Sequence, residues 1–329
     1  MNLFAAIADL LKPSPPPDPA VLKALEHIAG QLDPLLKSVP QFGKRLQEPL
    51  HHALGYCEGL VAALPGPLDI SRHHFASEPM IHALFATGDD IQEMLGRSQP
   101  VRDFLACPQS RDSDYFYAML AARRNERRQF GMEQHGEIIH KDVPQTVVYF
   151  SDHILLEPCH HLEHTLESLR CRGLESLLHT FATHVELLRR EREGLRAGTA
   201  AERIERDILL AGHKDEEALQ HIRILEELST RLRENIESLT PEHLLDTLAD
   251  YLRAPEKALR LTPVSVTLDQ SGVVQGDNGA HTNSRTLDFA ELTSRDRRLH
   301  IALLARISRE EAEAAVAEVR DQQHRFMLI

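Results

Sequence analysis

Tryptophan is absent from this 329-residue chain, and aromatic residues make up only 5% of it. A core with few large rings depends on Leu, Ala, Ile and Val, and the abundant Leu, Glu and Arg favour helices over a β sandwich. The sequence also lacks G-x-x-x-x-G-K-[ST], G-x-G-x-x-G and G-x-S-x-G. Nucleotide binding and serine hydrolysis therefore have no motif to support them.

Cysteine and long apolar runs are also scarce, and acidic residues outnumber basic ones by 50 to 37. The four cysteines (Cys57, Cys107, Cys159 and Cys171) include no C-x-x-C pair, which indicates reduced thiols in a cytoplasmic protein. No apolar run approaches the roughly 18 residues that cross a bilayer, so we expect no membrane span. The formal net charge of −13 argues against general nucleic-acid binding, because the protein would repel a polyanion.

Two short segments make up residues 1–19. The apolar side chains of MNLFAAIADLLK recur at helical spacing. We interpret this peptide as a short helix packed on the body or, alternatively, as a docking peptide for a partner or a membrane surface. The prolines of PSPPPDP, at 13–19, forbid a helix and predict an extended, semi-rigid spacer.

The next two segments differ in their hydrophobic period. Short helical patterns broken by Gly and Pro fill residues 20–128 and predict a compact helical bundle. Residues 129–157 change to β-branched and aromatic runs, such as Thr146 to Phe150, with His135-Gly136 as a tight turn. This segment predicts a β-hairpin or three-stranded meander.

Residues 158–240 give the clearest periodic signal. They predict two long helices, at about 158–194 and 200–239, separated by a break that Gly194 and Gly198 flank. The second helix carries a heptad seam. Its members are Ile204, Ile208, Ala211, Asp215, Ala218, Ile222, Leu225, Ser229, Leu232, Ile236 and Leu239. Because an uncovered seam is unstable in water, we expect the first helix to cover it in an antiparallel helical hairpin.

Residues 241–329 predict one more helix, then strands, then a C-terminal helix that begins after Ser308. The expected fold class is mainly α (α+β). It comprises an N-terminal helical bundle, a long antiparallel helical hairpin, and a small antiparallel β-sheet near the middle and the C-terminus.

Twenty histidines raise the question of a metal site, and the densest stretch is EPCHHLEHTL at 157–166. Its H-x-x-E-H string resembles the motif of inverted zinc peptidases. The resemblance implies His160 and His164 as zinc ligands and Glu163 as general base. It also implies a third ligand further along the chain, for which Glu234, Glu237 and Glu242 are the candidates.

A solvated helix face explains the same stretch without a metal. A helical wheel places His160 and His164 opposite the leucine stripe of their helix. Cys171 lies two turns beyond His164, roughly 10 Å along the axis, which is too far to share one ion. The doublets His51-His52 and His73-His74 are poor chelates, because adjacent helical residues point about 100° apart. We therefore expect no cofactor, with zinc as the alternative.

Two arginine clusters offer a third interpretation, contact with phosphate or nucleic acid. They are Arg123, Arg124, Arg127 and Arg128, and Arg295, Arg297 and Arg298. We place the first cluster at the end of a helix, where the dipole favours cations. Since no strong catalytic motif is present, we expect a non-enzymatic interaction or scaffold protein. Its hairpin would bind a protein partner or a second copy of the chain.

Overall fold

The computed structural model describes residues 19–108, 113–135, 138–213, 215–269, 271–275, 284–294 and 299–326. The chain divides into two compact units. The helical unit holds the described residues up to Gly55 and those from Leu174 to Pro255. The sheet unit holds those from Tyr56 to Gly173 and from Glu256 onward. The peptide at 1–12 lies outside the described residues, as do most of the proline spacer and the arginines at 295–298.

Helices dominate the described part of the chain. The α-helices are α1 (Pro19–His27), α2 (Phe42–Ala62), α3 (Pro79–Leu84), α4 (Gly88–Arg97), α5 (Gln99–Ala106), α6 (Leu162–Ala211), α7 (Asp215–Ser238), α8 (Pro241–Leu252) and α9 (Arg309–Phe326). The strands are β1 (Leu68–Ile70), β2 (Tyr115–His135), β3 (Ile138–Cys159), β4 (Leu259–Leu268), β5 (Arg285–Ser294) and β6 (Leu299–Ser308). The mainly helical α+β class predicted from the sequence is therefore correct. No helix in the described ranges is long and apolar enough to cross a membrane.

The six strands form one curled sheet in the order β3-β2-β6-β5-β4, with the short β1 parallel to β6. The neighbours in this order pair antiparallel. Segment 272–275 joins the two outer strands. Val148 N of β3 donates to Gly272 O (2.9 Å), and Gln275 N donates to Thr267 O of β4 (2.9 Å). Backbone groups at both edges are thus partly satisfied, which protects the sheet from pairing with another chain.

One face of the sheet builds the main core of its unit. Alternate residues of each strand are buried there, as the pleat requires. On β2 and β6 they are Phe116, Ala118, Leu120, Ala122, Ile301, Leu303, Ala305 and Ile307. Helices α3, α4, α5 and α9 contribute side chains to the same cluster. The opposite face buries Met119, Ala302 and Leu304 with Leu169 of α6.

The predicted boundary between a helical bundle ending at 128 and a β segment starting at 129 is wrong. Strand β2 already begins at Tyr115, and the last α-helix before it ends at Ala106. Residues 121–128 consist mostly of Ala, Arg and Glu, which favour helices. Pairing with both β3 and β6 overrides that local preference. The flanking Phe116, Ala118 and Leu120 are all buried on one face, which requires the alternation of a strand.

In the helical unit, α8 and the segment that follows α1 contact residues 177–189 of α6. The rings of Phe181 and Tyr251 lie 5.3 Å apart, and the Tyr251 hydroxyl donates to Leu177 O (3.1 Å). Arg189 donates to Asp33 and to Leu32 O, each at 3.0 Å. These contacts fix residues 177–189 of α6 in the core of this unit.

The predicted break between two helices at 194–199 is also wrong, because α6 is continuous to Ala211. A glycine inside a helix costs only about 1 kcal/mol, so Gly194 and Gly198 are not sufficient to end it. The chain turns instead at Gly212 and His213, and His213 adopts a left-handed conformation (φ 56°). Helix α7 then begins at Asp215.

His153 is a half-buried base in β3. Its Nε2 donates to Leu84 O (2.7 Å), so the neutral ring carries its proton there, and the ring stacks on Phe85 at 4.4 Å. Burial lowers the pKa of His153 from its ordinary 6.5, and the hydrogen bond only partly opposes this. The unfolded chain therefore binds a proton at His153 at a higher pH than the folded protein does.

We expect His153 to destabilise the fold as the pH falls below 6.5, because only the unfolded state then gains the proton. His153→Gln keeps a donor for Leu84 O and cannot titrate. Urea unfolding at pH 7.5 and pH 5.5 measures the effect. The free energy of unfolding should fall less in the variant than in the parent over this interval. Equal losses in both proteins would contradict the assignment of a neutral His153 ring in the folded protein.

Candidate functional site

Helices α6 and α7 contact each other in antiparallel order. Near the base of the pair, Asn235 Nδ2 donates to Leu188 O (3.1 Å) and Arg231 pairs with Glu191 (3.1 Å). Further along α6, Glu202 contacts His221 Nδ1 (2.7 Å). Rising residue numbers on α6 therefore meet falling numbers on α7. The α6–α7 pair comprises residues 174–238.

The face of α6 that meets α7 alternates apolar and polar residues. Buried or half-buried positions recur at heptad spacing. They are Val185, Leu188, Arg192, Leu195, Thr199, Glu202 and Arg206. On α7, Ala218, Leu225 and Asn235 are buried. A seam containing several polar residues gains less from apolar burial than an all-leucine seam, but its hydrogen bonds help to fix the register.

Four residues assigned to the seam from the sequence are exposed: Ile204, Ile208, Ala211 and Ile236. Ile204 and Ile208 are 62% and 60% exposed. The assignment failed because it followed the largest apolar side chains, whereas Thr199, Glu202 and Arg206 occupy the positions that face α7. Ile204 and Ile208 are one turn apart on the other side of the helix.

These isoleucines belong to a second heptad pattern, which we call the distal stripe. Its members are Gly194, Ala197, Ala201, Ile204, Ile208 and Ala211, all of them exposed. Their spacing of 3-4-3-4-3 is that of a helix packing against another helix. The signal was present in the sequence, but a helix continuous past Gly198 is needed to recognise it.

Acidic residues flank the distal stripe on both sides. At 100° per residue, Glu193 and Asp207 lie about 70° to one side of the stripe and Glu205 about 70° to the other. Asp207 pairs with Arg206 (2.6 Å), and within the described part of the chain no cation contacts Glu193 or Glu205. Arg196 and Arg203 lie about 130° from the stripe. Arg190, one turn before Gly194, pairs with Glu186 (3.3 Å).

Exposed apolar side chains concentrate on this helix pair. Of the thirteen large apolar residues exposed in the described part of the chain, six lie on α6 or α7. They are Leu187, Ile204, Ile208, Leu210, Leu219 and Ile236. Single exposed apolar residues are common on protein surfaces, but a grouped set marks an interaction surface more often.

The histidine-rich stretch lies at the junction of β3 and α6. Cys159 still pairs with Tyr117 in the sheet, and α6 starts only at Leu162. His160 therefore lies in a bend, and the expectation that His160 belongs to the same helix as His164 is wrong. The His160 ring is half-buried and lies 5.3 Å from the ring of Phe104.

His161, Glu163 and His164 of the H-x-x-E-H string are exposed. The ring of His161 lies 6.0 Å from that of His160 and 5.3 Å from that of His164, and Glu163 is exposed. Glu234, Glu237 and Glu242 all belong to the helical unit, whereas the histidines belong to the sheet unit. Across the described ranges, no group of three His, Cys, Asp or Glu side chains is placed to hold a metal ion. The zinc site stays a prediction.

The first arginine cluster lies on a strand, so its expected place at a helix C-terminus is wrong. Alternation along β2 puts Arg124 and Arg128 on one face and Arg123 and Arg127 on the other. Arg124 is only 17% exposed and pairs with Glu291 (3.1 Å) and Glu126. Its charge is thus largely neutralised within the sheet. Arg295, Arg297 and Arg298 lie outside the described residues.

Comparison of the chain with family models, with curated proteins and with solved structures found no match. The geometry of the chain itself must therefore support any functional proposal.

We expect Gly194→Ala to raise the free energy of unfolding by about 1 kcal/mol, because alanine is the better helix former. A Cβ atom at Gly194 would meet nothing within 4 Å, so no clash offsets this gain. Urea unfolding followed by circular dichroism measures it. Gly173→Ala is the matched control: its Cβ would lie 3.0 Å from Cys57 Sγ, and the variant should be less stable than the parent. A loss of stability in Gly194→Ala would contradict an open helical site at this position.

Proposed function

We propose that the protein is a non-enzymatic interaction or scaffold protein and that the α6–α7 pair is its binding arm. The observation that carries this proposal is the exposed apolar surface on the pair, above all Ile204 and Ile208. Burying two such side chains in a complex would contribute about 3 to 6 kcal/mol, a large part of a typical binding energy.

The packing of the pair supports the same function. Residues 177–189 are held by the core of the helical unit, whereas the part beyond Glu191 is held mainly by α7. A helix that is fixed at one end and still exposes apolar residues at the other is a rigid platform, which lowers the entropy lost on binding. The four cysteines, all within the described part, form no disulfide, which supports a reducing compartment such as the cytoplasm for this function.

Shortening the arm tests the proposal. In the test variant a four-residue Gly-Ser linker replaces residues 195–230. The contact between Leu188 and Asn235 and that between Arg189 and Asp33 are kept. We expect this variant to fold and to lose the partners that the parent captures from cells of its source, as measured by quantitative mass spectrometry.

Two controls make this result interpretable. Cooperative thermal unfolding by circular dichroism shows that the shortened chain is folded. Leu35→Lys changes an apolar residue that is 61% exposed outside the arm, and this variant should keep every partner. A folded shortened chain with an unchanged partner set would contradict the proposed function.

A further inference from the structure

The distal stripe of α6 has the geometry of a helix-binding face. In a heptad pattern Gly194, Ala201 and Ile208 occupy one core position, and Ala197, Ile204 and Ala211 occupy the other. Helix α7 covers the opposite face of α6, through contacts such as that of Glu202 with His221. The stripe therefore has room for a third helix without displacing α7.

The glycine in the stripe favours the close approach of a second helix to this face. Gly194 lies inside an exposed helix, where glycine lowers the local helix equilibrium about fivefold relative to alanine. Nothing within 4 Å would contact a Cβ atom there, so packing within the described chain does not require glycine. Small residues at 194, 197 and 201 would allow a second helix axis to approach to about 8 Å.

The charge of the residues beside the stripe distinguishes a second copy of this chain from a helix of another protein as the occupant. Six residues flank the stripe, and none of them is basic. Three are acidic (Glu193, Glu205 and Asp207), and the other three are Gly198, Ala200 and Gly212. A second copy of this chain would bring acidic flanks against acidic flanks in either a parallel or an antiparallel arrangement, which disfavours self-pairing. A helix with Lys or Arg beside its apolar seam would neutralise Glu193 and Glu205.

We propose that the distal stripe binds an amphipathic helix of another protein, with Leu or Ile in its heptad seam and Lys or Arg on both flanks. This assignment rests on the proposed interaction function and specifies its partner. Ile204 and Ile208 anchor the partner helix, and the small residues from Gly194 to Ala201 accept its larger side chains. The acidic flanks select against acidic helices.

Binding of two designed peptides to the full-length protein tests this assignment. Both are fluorescein-labelled helices of three heptads with Leu at the a and d positions. One carries Lys at every e and g position and the other carries Glu. Fluorescence anisotropy at low salt should show the Lys peptide binding at least about 30-fold more tightly, with the difference shrinking as salt rises. Equal affinities for the two peptides would overturn the assignment.

Three variants locate the binding face. Ile204→Lys/Ile208→Lys should weaken the binding of the Lys peptide by at least about 100-fold, because two buried anchors are lost. Glu193→Lys/Glu205→Lys should reverse the preference between the peptides. Leu219→Lys changes a residue that is 57% exposed on α7 and should bind like the parent. Unchanged binding in the Ile204→Lys/Ile208→Lys variant would overturn the assignment.

The remaining outcomes separate this inference from the proposed function. If sedimentation shows a dimer that Ile204→Lys/Ile208→Lys disperses, a second copy occupies the stripe and the basic-helix assignment is wrong. If the shortened arm loses its cellular partners while Ile204→Lys/Ile208→Lys keeps them, the arm binds elsewhere, so the function stands and this inference fails. If the shortened arm keeps its partners, the proposed function is wrong. The preference between the two peptides is a separate measurement, and its result still supports or overturns the assignment of the stripe.

Discussion

The contact between α6 and α7 is the constraint on which the functional part of the protein depends. Helix α6 has fifty residues, roughly 75 Å of helix, and only its first half is held by the cores of the two units. Beyond Glu191 the helix is stabilised by the seam with α7, in which Glu202 contacts His221 and Asn235 contacts Leu188. Because the seam uses one face of α6, the opposite face is left exposed, and the distal stripe lies on that face.

The polar seam has a consequence for specificity. An all-apolar seam could slide by a heptad with little change in energy, whereas Asn235 and the Glu202–His221 contact are satisfied in one register. A fixed register places Ile204, Ile208 and the acidic flanks at fixed positions along the arm. The polar residues lower the hydrophobic stabilisation of the seam, but they fix the positions of the exposed residues on the opposite face of α6.

Much of the fold could be predicted from the sequence, and the errors have physical causes. The strands expected within 241–329 are present as β4, β5 and β6, and the C-terminal helix expected after Ser308 begins at Arg309. Strand β2 was mistaken for helix because Ala, Arg and Glu dominate its middle, and only its pairing with β3 and β6 makes it a strand. The turn at Gly212 was missed because Gly194 and Gly198 look like stronger breaks, although a helix tolerates an isolated glycine. The distal stripe could not be recognised until that turn was placed correctly.

The distance between two exposed positions on α6 tests the central claim that this helix is continuous past Gly198. Spin labels at Leu187→Cys and Ile208→Cys, in a chain without its four native cysteines, allow electron–electron double resonance to measure the separation. A continuous helix over these 21 residues predicts a single distance near 32 Å. A distance below about 20 Å would mean that the chain folds back at 194–199, which would contradict both the distal stripe and the function built on it.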